Sequence, residues 1–226
     1  MKISVVIPTF DEAGQIEAAL AAVHAPEVEI IVVDGGSKDG TPKIATAAGA
    51  RVIPSPPGRA CQLEVGARES RGEVILFLHA DTRLPQGWTE CIIDALRAPG
   101  TVGGAFGFRF DRSGGRHTLL LRSIEWGARL RSSLLGLPYG DQALFVRRDV
   151  LDSIGGVPQV PIMEDLDLVQ AMKRAGRLAL LSTPASTSAR RHRAGGPLRV
   201  ALVHVALALG WRLGLDRGRL AAWSRR

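Results

Sequence analysis

The stretch from Lys2 to Gly36, KISVVIPTFDEAGQIEAALAAVHAPEVEIIVVDGG, decides the fold class. KISVVIPT is a nearly continuous apolar run of strand length, the pattern of a strand buried on both faces. EAGQIEAALAAVH then places Ile16, Leu20 and Val23 on one helical face, and EIIVVDGG is a second buried-type run. Strand, helix and strand at this spacing form a βαβ unit with a right-handed crossover. The alternation continues with TPKIATAAGA as helix, RVIPS as strand, RACQLEVGARES as helix, EVILFLHAD as strand and QGWTECIIDALRA as helix. TVGGAFGFRF reads as a strand in which Gly103, Gly104 and Gly107 permit close backbone approach, and HTLLLRSIEWGARLRSSLLG as a helix. ALFVRRDVLDSIGG gives a short strand and helix, and EDLDLVQAMKRAG a helix closed by Gly176. The expected domain is α/β, with strand ends sharing one edge.

At 226 residues and 46% hydrophobic content the chain has material for one sizeable core and too little for two enzymatic domains. Mean hydropathy of +0.10 argues against disorder. Cys61 and Cys91 have no partner at metal or disulfide-framework spacing, which fits a reducing cytosol. The apolar run at the N-terminus breaks at Pro8 and meets acids at once, unlike a signal peptide. The net charge of +7 is uneven. Met1 to Asp167 carries 17 basic and 21 acidic residues (net −4), and Leu168 onward carries 12 basic and one acidic (net +11).

Polar clusters fall at four expected carboxyl ends of strands: PTFDE (Pro8 to Glu12), VDGGSKDGT (Val33 to Thr41), HADT (His79 to Thr82) and YGDQ (Tyr139 to Gln142). Ligands bind at that edge of an open sheet. One such cluster is what any turn needs, whereas four in one chain point to a site. VDGGSKDGT lacks the GxGxxG spacing of a dinucleotide fingerprint. It offers Asp34 and Asp39 as acceptors for a base or ribose, and Asp39 or Thr41 also suits a helix cap. Asp81 follows a buried strand with no cation near it in sequence. Either it caps a helix starting near Pro85, or a divalent ion bridging diphosphate oxygens keeps it ionised. PIMEDLDL puts Glu164, Asp165 and Asp167 at a helix start, which the helix dipole favours whatever the function. A loop precedes them, so Glu164 and Asp165 can project into a cleft where a carboxylate acts as general base, with Asp167 pointing elsewhere.

In order, VVIPTFDE, VDGGSKDGT, the HAD version of a DxD motif, GDQ and the ED of MEDLDL resemble the family 2 glycosyltransferases with the GT-A fold, from Ile3 to about Gly176. GRA-Q, FLHADT, YGDQALFVRR, PIMEDLDL and ARR-x-x-x-G are most similar to a small bacterial branch associated by name with arsenosugar biosynthesis. The resemblance implies a GT-A domain over residues 1–196, with a mostly parallel central sheet flanked by helices, and a basic amphipathic helical tail over 197–226. It places Pro8, Thr9, Glu12, Asp34, Asp39, Arg59, Gln62 and His79 around the nucleotide sugar. Asp81 becomes the ligand of a Mg²⁺ or Mn²⁺ on the donor diphosphate, and Asp165 the catalytic base supported by Glu164. Asp141, Gln142, Arg190 and Arg191 fall on the acceptor or donor-sugar side, the two arginines as a phosphate clamp or as a solvated basic face.

The implied reaction is inverting, non-processive transfer of one sugar from a nucleotide-diphosphate sugar to a hydroxyl of a small-molecule or lipid-linked acceptor. The QxxRW motif of processive synthases is absent. Three positions depart from the family pattern. His79 stands at the first Asp of DxD, Glu64 where Asn is common, and His192 at a commonly aromatic position. Glu64 is tolerable near a diphosphate only if it faces Arg59 or Arg68. These departures motivate a second reading, a catalytically silent nucleotide-sugar-binding or membrane-associated partner protein.

Leu198 to Leu215 is almost continuously apolar but holds Arg199, His204 and Arg212. A central charge costs about 2.5–3.5 kcal/mol on insertion, and a span needs about 20 residues. The tail therefore reads as a packed helix, a dimer element or, preferred, a peripheral contact with anionic membrane through Trp211, Trp223 and the arginines, on a cytoplasmic protein. Nucleic-acid binding ranks low, because the basic tail lacks interleaved aromatics.

Overall fold

The computed structural model describes residues 1–111, 119–190 and 196–224. Its strands are β1 (Ile3–Thr9), β2 (Val28–Asp34), β3 (Arg51–Pro54), β4 (Val74–Phe77), β5 (Thr82–Arg83), β6 (Thr101–Phe110), β7 (Leu144–Arg147) and β8 (Arg177–Thr187). The helices are α1 (Ala13–Val23), α2 (Thr41–Ala47), α3 (Arg59–Glu69), α4 (Trp88–Arg97), α5 (Leu119–Leu135), α6 (Arg148–Ser153), α7 (Glu164–Ala175), α8 (Pro197–Arg212) and α9 (Arg217–Ser224). A 3-10 turn spans Gly140–Gln142.

The strands form one sheet in the order β3-β2-β1-β4-β7-β6-β8-β5. β1, β2, β3 and β4 pair in parallel, as the βαβ reading requires, and so do β6 and β8. β7 runs antiparallel to both β4 and β6, and β5 antiparallel to β8, so the sheet is more mixed than the sequence suggests. β7 enters opposite Ala105 and runs back along β6, which reverses it. β8 escaped the sequence reading because its burial alternates weakly and Pro184 interrupts it. Pro184 falls where the register with β6 slips, a place where the missing N–H does little harm.

Strand alternation divides the core. Ile3, Val5 and Ile7 join Ile16, Leu20, Trp88 and Ile92 on one face of the sheet. Val6, Ile31, Val33 and Ile75 meet Leu63, Leu168, Val169 and Met172 on the other. Both faces are covered, which is why β1 and β2 read as unbroken apolar runs. The glycines of β6 are there for space: a Cβ on Gly103 would lie 2.3 Å from Phe145 O, and one on Gly104 2.1 Å from Ala179 O. A smaller cluster packs Leu121 and Ala128 of α5 under Phe108 and Phe110. In a fourth, Leu207 and Leu220 from the tail pack against Met163 and Leu166 at the start of α7.

The tail is two helices, and α8 is apolar on more than one side. Leu207 is buried, whereas Leu198, Leu202, Val205 and Leu209 are exposed. Among the described residues no helix is long and apolar enough to cross a membrane. Asp167 points into the tail: it accepts from Trp211 Nε1 at 2.7 Å and pairs with Arg217 Nη2 at 2.9 Å.

Candidate active site

The loops after β1 and β2 are zipped together by their own polar groups. Asp34 is buried at the tip of β2; its Oδ2 accepts the N–H groups of Gly36 and Ser37, and its Oδ1 accepts the hydroxyls of Ser37 and Thr9. Burial alone would raise this carboxyl, but the Ser37 bonds, with those from Gly36 and Thr9, hold it below the usual value. Asp39 accepts Thr41 Oγ1 and N–H, and also Ala13 N–H at 2.8 Å, so it joins the starts of α1 and α2. The Thr41 hydroxyl is the first cause of its lowered pKa. Gln62 of α3 donates Nε2 to Thr9 O and Val33 O, both at 2.8 Å, and so fixes the ends of β1 and β2. Asp34, Asp39 and Gln62 thus shape the loops after β1 and β2, and their acceptors and donors are largely engaged within the chain.

Past β4 the chain turns over residues 79–82, with Thr82 N–H donating to His79 O at 3.0 Å. Asp81 caps no helix, because α4 starts only at Trp88, behind Gly87. The turn is moored to β8: Ser188 N–H reaches Asp81 O at 3.0 Å, and the Thr82 and Thr187 hydroxyls meet at 2.9 Å. Thr187 Oγ1 in turn donates to Asp141 O at 3.2 Å. This mooring carries HADT to the GDQ turn, although about sixty residues separate them in sequence.

Asp165 receives Gly140 N–H on Oδ2 at 2.8 Å and Leu166 N–H on Oδ1 at 2.9 Å. A Cβ on Gly140 would stand 3.1 Å from His79 Nε2 and 3.2 Å from Asp165 Oδ2, so a larger residue here would push on both the imidazole and the carboxylate that flank this turn. Arg59, at the start of α3, binds buried Glu164 through Nε and places Nη2 3.8 Å from Asp165 Oδ2. Burial opposes the Arg59 charge, but Asp165 and Glu164 more than compensate and raise its pKa further. Met163, Ala143 and Asp11 hold positive φ at the loops entering α7, leaving the GDQ turn and following β1. Such conformations cost a non-glycine residue of order 1 kcal/mol and concentrate where loop geometry matters.

Two cavities meet at Arg59, His79 and Asp81. The first, about 290 Å³, lies over the ends of β1 and β4 and adds Pro8, Thr9, Glu12 and Gln62. The second, about 470 Å³, adds Tyr139, Asp141, Glu164 and Asp165 and is roofed by Val203, His204 and Leu207 of α8. Arg190 lines neither cavity but forms a 2.9 Å ion pair with Glu12, which does line the first, while Arg191 and His192 lie outside the described residues. Gln142 does not line either cavity. It is buried, with Nε2 on Phe106 O and Oε1 receiving the Ser132 hydroxyl and the Tyr139 N–H, and it fixes the turn that carries Asp141. Glu64 faces away from the site: it pairs with Arg68 at 2.6 Å and accepts Val157 N–H at 2.8 Å.

Asp141 Oδ1 is buried and, among the described residues, has no hydrogen-bond partner. Burial pushes this carboxyl up to about 6; Arg131 and Arg59 oppose the shift, and Asp165 and Asp81 add to it. Between the ordinary value of 3.8 and about 6 the folded state keeps a proton that the unfolded chain has lost. This contribution is complete below the ordinary value and is lost as pH rises to about 6, a fall of roughly 2–3 kcal/mol. Urea unfolding from pH 4 to 7 is expected to show that slope in the native chain and to lack it in Asp141→Asn. Equal slopes in the two proteins would refute the assignment.

The parallel β1–β4 half, with the acidic turn after β4 at its edge, is that of the GT-A class of fold. The chain belongs to the family described as Glycosyl transferase family 2, whose model matches residues 4–155. Among curated proteins it is similar to glycosyltransferase AglE of Haloferax volcanii, 28% identical over 172 residues that cover 69% of this chain and 56% of that protein. It is also similar to glucosyl-3-phosphoglycerate synthase of Mycolicibacterium paratuberculosis, 29% identical over 220 residues covering 84% of this chain and 65% of that protein. The chain therefore spans less than two thirds of the length of either relative. Among solved structures, Mycobacterium tuberculosis glucosyl-3-phosphoglycerate synthase in complex with Mn²⁺, UDP and glucosyl-3-phosphoglycerate superposes with a TM-score of 0.67 at 24% identity, over 95% of this chain and 81% of that one. Staphylococcus aureus TarS with UDP-GlcNAc gives a TM-score of 0.63 at 18% identity, over 83% of this chain and 58% of that one.

Several residues of the site carried no sequence signal. Phe108, Thr187, Ser188 and the roof residues of α8 look like ordinary strand and helix positions until β8 and the tail are placed. The glycine of GDQ was visible as part of a motif, but its steric role between His79 and Asp165 was not.

Proposed function

We propose that the chain is an inverting, non-processive glycosyltransferase that moves one sugar from a nucleotide-diphosphate sugar to an acceptor hydroxyl. The observation that carries this reading is the pair of cavities joined at Arg59, His79 and Asp81, with Asp165 on one side of the junction and Thr9, Glu12 and Gln62 on the other. A donor in the smaller cleft presents its anomeric carbon at the junction. An acceptor in the larger cavity then attacks from the face opposite the departing diphosphate, and Asp165 takes the hydroxyl proton. Arg59 and the Gly140 N–H hold Asp165 in place for that transfer.

The residues present suit a divalent cation such as Mg²⁺ or Mn²⁺. Asp81 lies in the junction, and the unsatisfied Asp141 oxygen is a hard donor in a cluster of carboxylates that repel one another. The described residues hold no ready-made group of three or more ligating side chains, as expected for ions that keep waters and substrate phosphates in their coordination shell. A bound ion would offset the charge on the leaving nucleoside diphosphate. The relatives that share this fold include enzymes solved with UDP and Mn²⁺ or Mg²⁺, which supports the same donor chemistry here.

A thermal-shift screen of UDP-, GDP- and dTDP-sugars with and without Mn²⁺ tests the reading. One donor is expected to raise the midpoint only with metal, by an amount set by mass action, and the chain should release the matching nucleoside diphosphate. Asp81→Asn is expected to abolish the metal-dependent part of the shift. An unchanged shift in that variant would remove Asp81 from the metal site, and silence across the whole donor panel would favour a binding protein without turnover.

A further inference from the structure

A third cavity of about 550 Å³ runs between α5 and α8 and shares Phe108, Tyr139, Asp141 and His204 with the acceptor side of the active site. Its walls are two helical stripes: Leu120, Ile124 and Ala128 on α5, and Leu198, Ala201 and Val205 on α8. These positions repeat at three- and four-residue spacing, so each helix turns one apolar row toward the gap. The α5 row from Leu120 to Arg131 is about 16 Å long at 1.5 Å per residue. Where the groove meets the active-site side, Arg131 stacks 3.4 Å over the Tyr139 ring, and Asp141 lines the same end.

We propose that this groove holds the hydrocarbon chain of an amphiphilic acceptor, with its hydroxyl head delivered to Asp165; the inference rests on the transferase reading above. Three observations select this occupant. The groove adjoins the catalytic cavity along Phe108, Tyr139, Asp141 and His204, so a chain lying in it has one end beside that cavity. Its lining remains apolar and exposed at Leu120, Leu198, Val205 and Leu209, a contiguous apolar surface of the kind that marks a binding groove. Arg212, exposed among the groove-lining residues of α8, sets a positive charge at the same edge, complementing the anionic surface from which such an acceptor is drawn. In the transfer, the acceptor oxygen forms the new bond to the anomeric carbon, the bond from that carbon to the diphosphate oxygen breaks, its electron pair leaves with the nucleoside diphosphate, and the hydroxyl proton passes to Asp165.

The test is a series of 1-O-alkylglycerols of two to twelve carbons, each kept below its micelle concentration, assayed with the donor and metal found in the screen. The KM is expected to fall on the order of tenfold for each two methylenes until the groove is full, since each buried methylene favours binding about fourfold. Titration calorimetry with 1-O-dodecylglycerol, which does not depend on turnover, should show binding that the two-carbon homologue lacks. Ala201→Trp, which fills the groove, should flatten both trends, and its unfolding midpoint shows whether it folds. If Ala201→Trp fails to fold, the chain-length series on the native protein decides alone. A KM independent of chain length, with sugar still transferred to short acceptors, overturns the groove assignment and leaves the transferase standing. A dimer in sedimentation that excludes dodecylglycerol assigns the groove to a second copy and likewise overturns it. Donors that neither bind nor turn over refute the transferase reading and this inference together.

Discussion

Asp165→Asn is expected to lower turnover by about 10²–10⁴, the range over which a positioned general base contributes, while donor affinity stays close to that of the native chain. The amide is nearly isosteric and keeps an oxygen for the Gly140 N–H that now reaches Oδ2 at 2.8 Å, so the turn carrying Asp141 should remain in place. What disappears is the site that accepts the acceptor proton. Asp165 faces the larger cavity and does not line the smaller one, so the loss should appear in kcat and not in the donor-induced thermal shift. A variant with native kcat would remove Asp165 as the base. A variant that also loses the donor shift would assign it to donor binding.

Arg59→Ala is expected to destabilise the ligand-free protein by about 3 kcal/mol, the cost of leaving buried charge unpaired. For a chain of this length that is a fall of roughly 6–12 °C in midpoint. The Glu164 side chain is 3% exposed and that of Asp165 10%, and Arg59 is their ion-pair partner on α3. Removing it leaves two adjacent carboxylates with little water to solvate them. Arg59→Lys should recover only part of the loss, because an ammonium lacks the planar fork that reaches both acids at once. Calorimetry of the two variants checks this directly, and an unchanged midpoint for Arg59→Ala would show that water satisfies the two acids without it.

The same residues show why part of the candidate site was legible in the sequence. Asp81, Glu164 and Asp165 sit at the end of a strand and the start of a helix, and such junctions leave a signature in a few consecutive residues. Asp81 could also have been a cap by that signature. Only the late start of α4 and the mooring of its turn to Ser188 and Thr187 direct it toward the site. Asp34, Asp39 and Gln62 were visible as polar residues at or beside the strand-end loops. That they spend their hydrogen bonds fastening those loops to one another became visible only with the loops in contact. The tail was least legible, because its apolar run with scattered arginines suits a lipid surface, a partner and a buried helix alike. Asp167 ties it down through Trp211 and Arg217, and α8 covers the cavity that Asp141 and Asp165 line.

By itself the sequence determined the α/β class, the parallel half of the sheet and the acids at its edge. Each depends on periodicity or on a turn encoded within ten or so residues, and strands buried on both faces cannot hide their composition. The tertiary structure decided the reversal of β7, the existence of β8, the meeting of HADT, GDQ and ED around Gly140, and the cavity under α8. Those depend on contacts between segments far apart in the chain, whose partners no local pattern specifies.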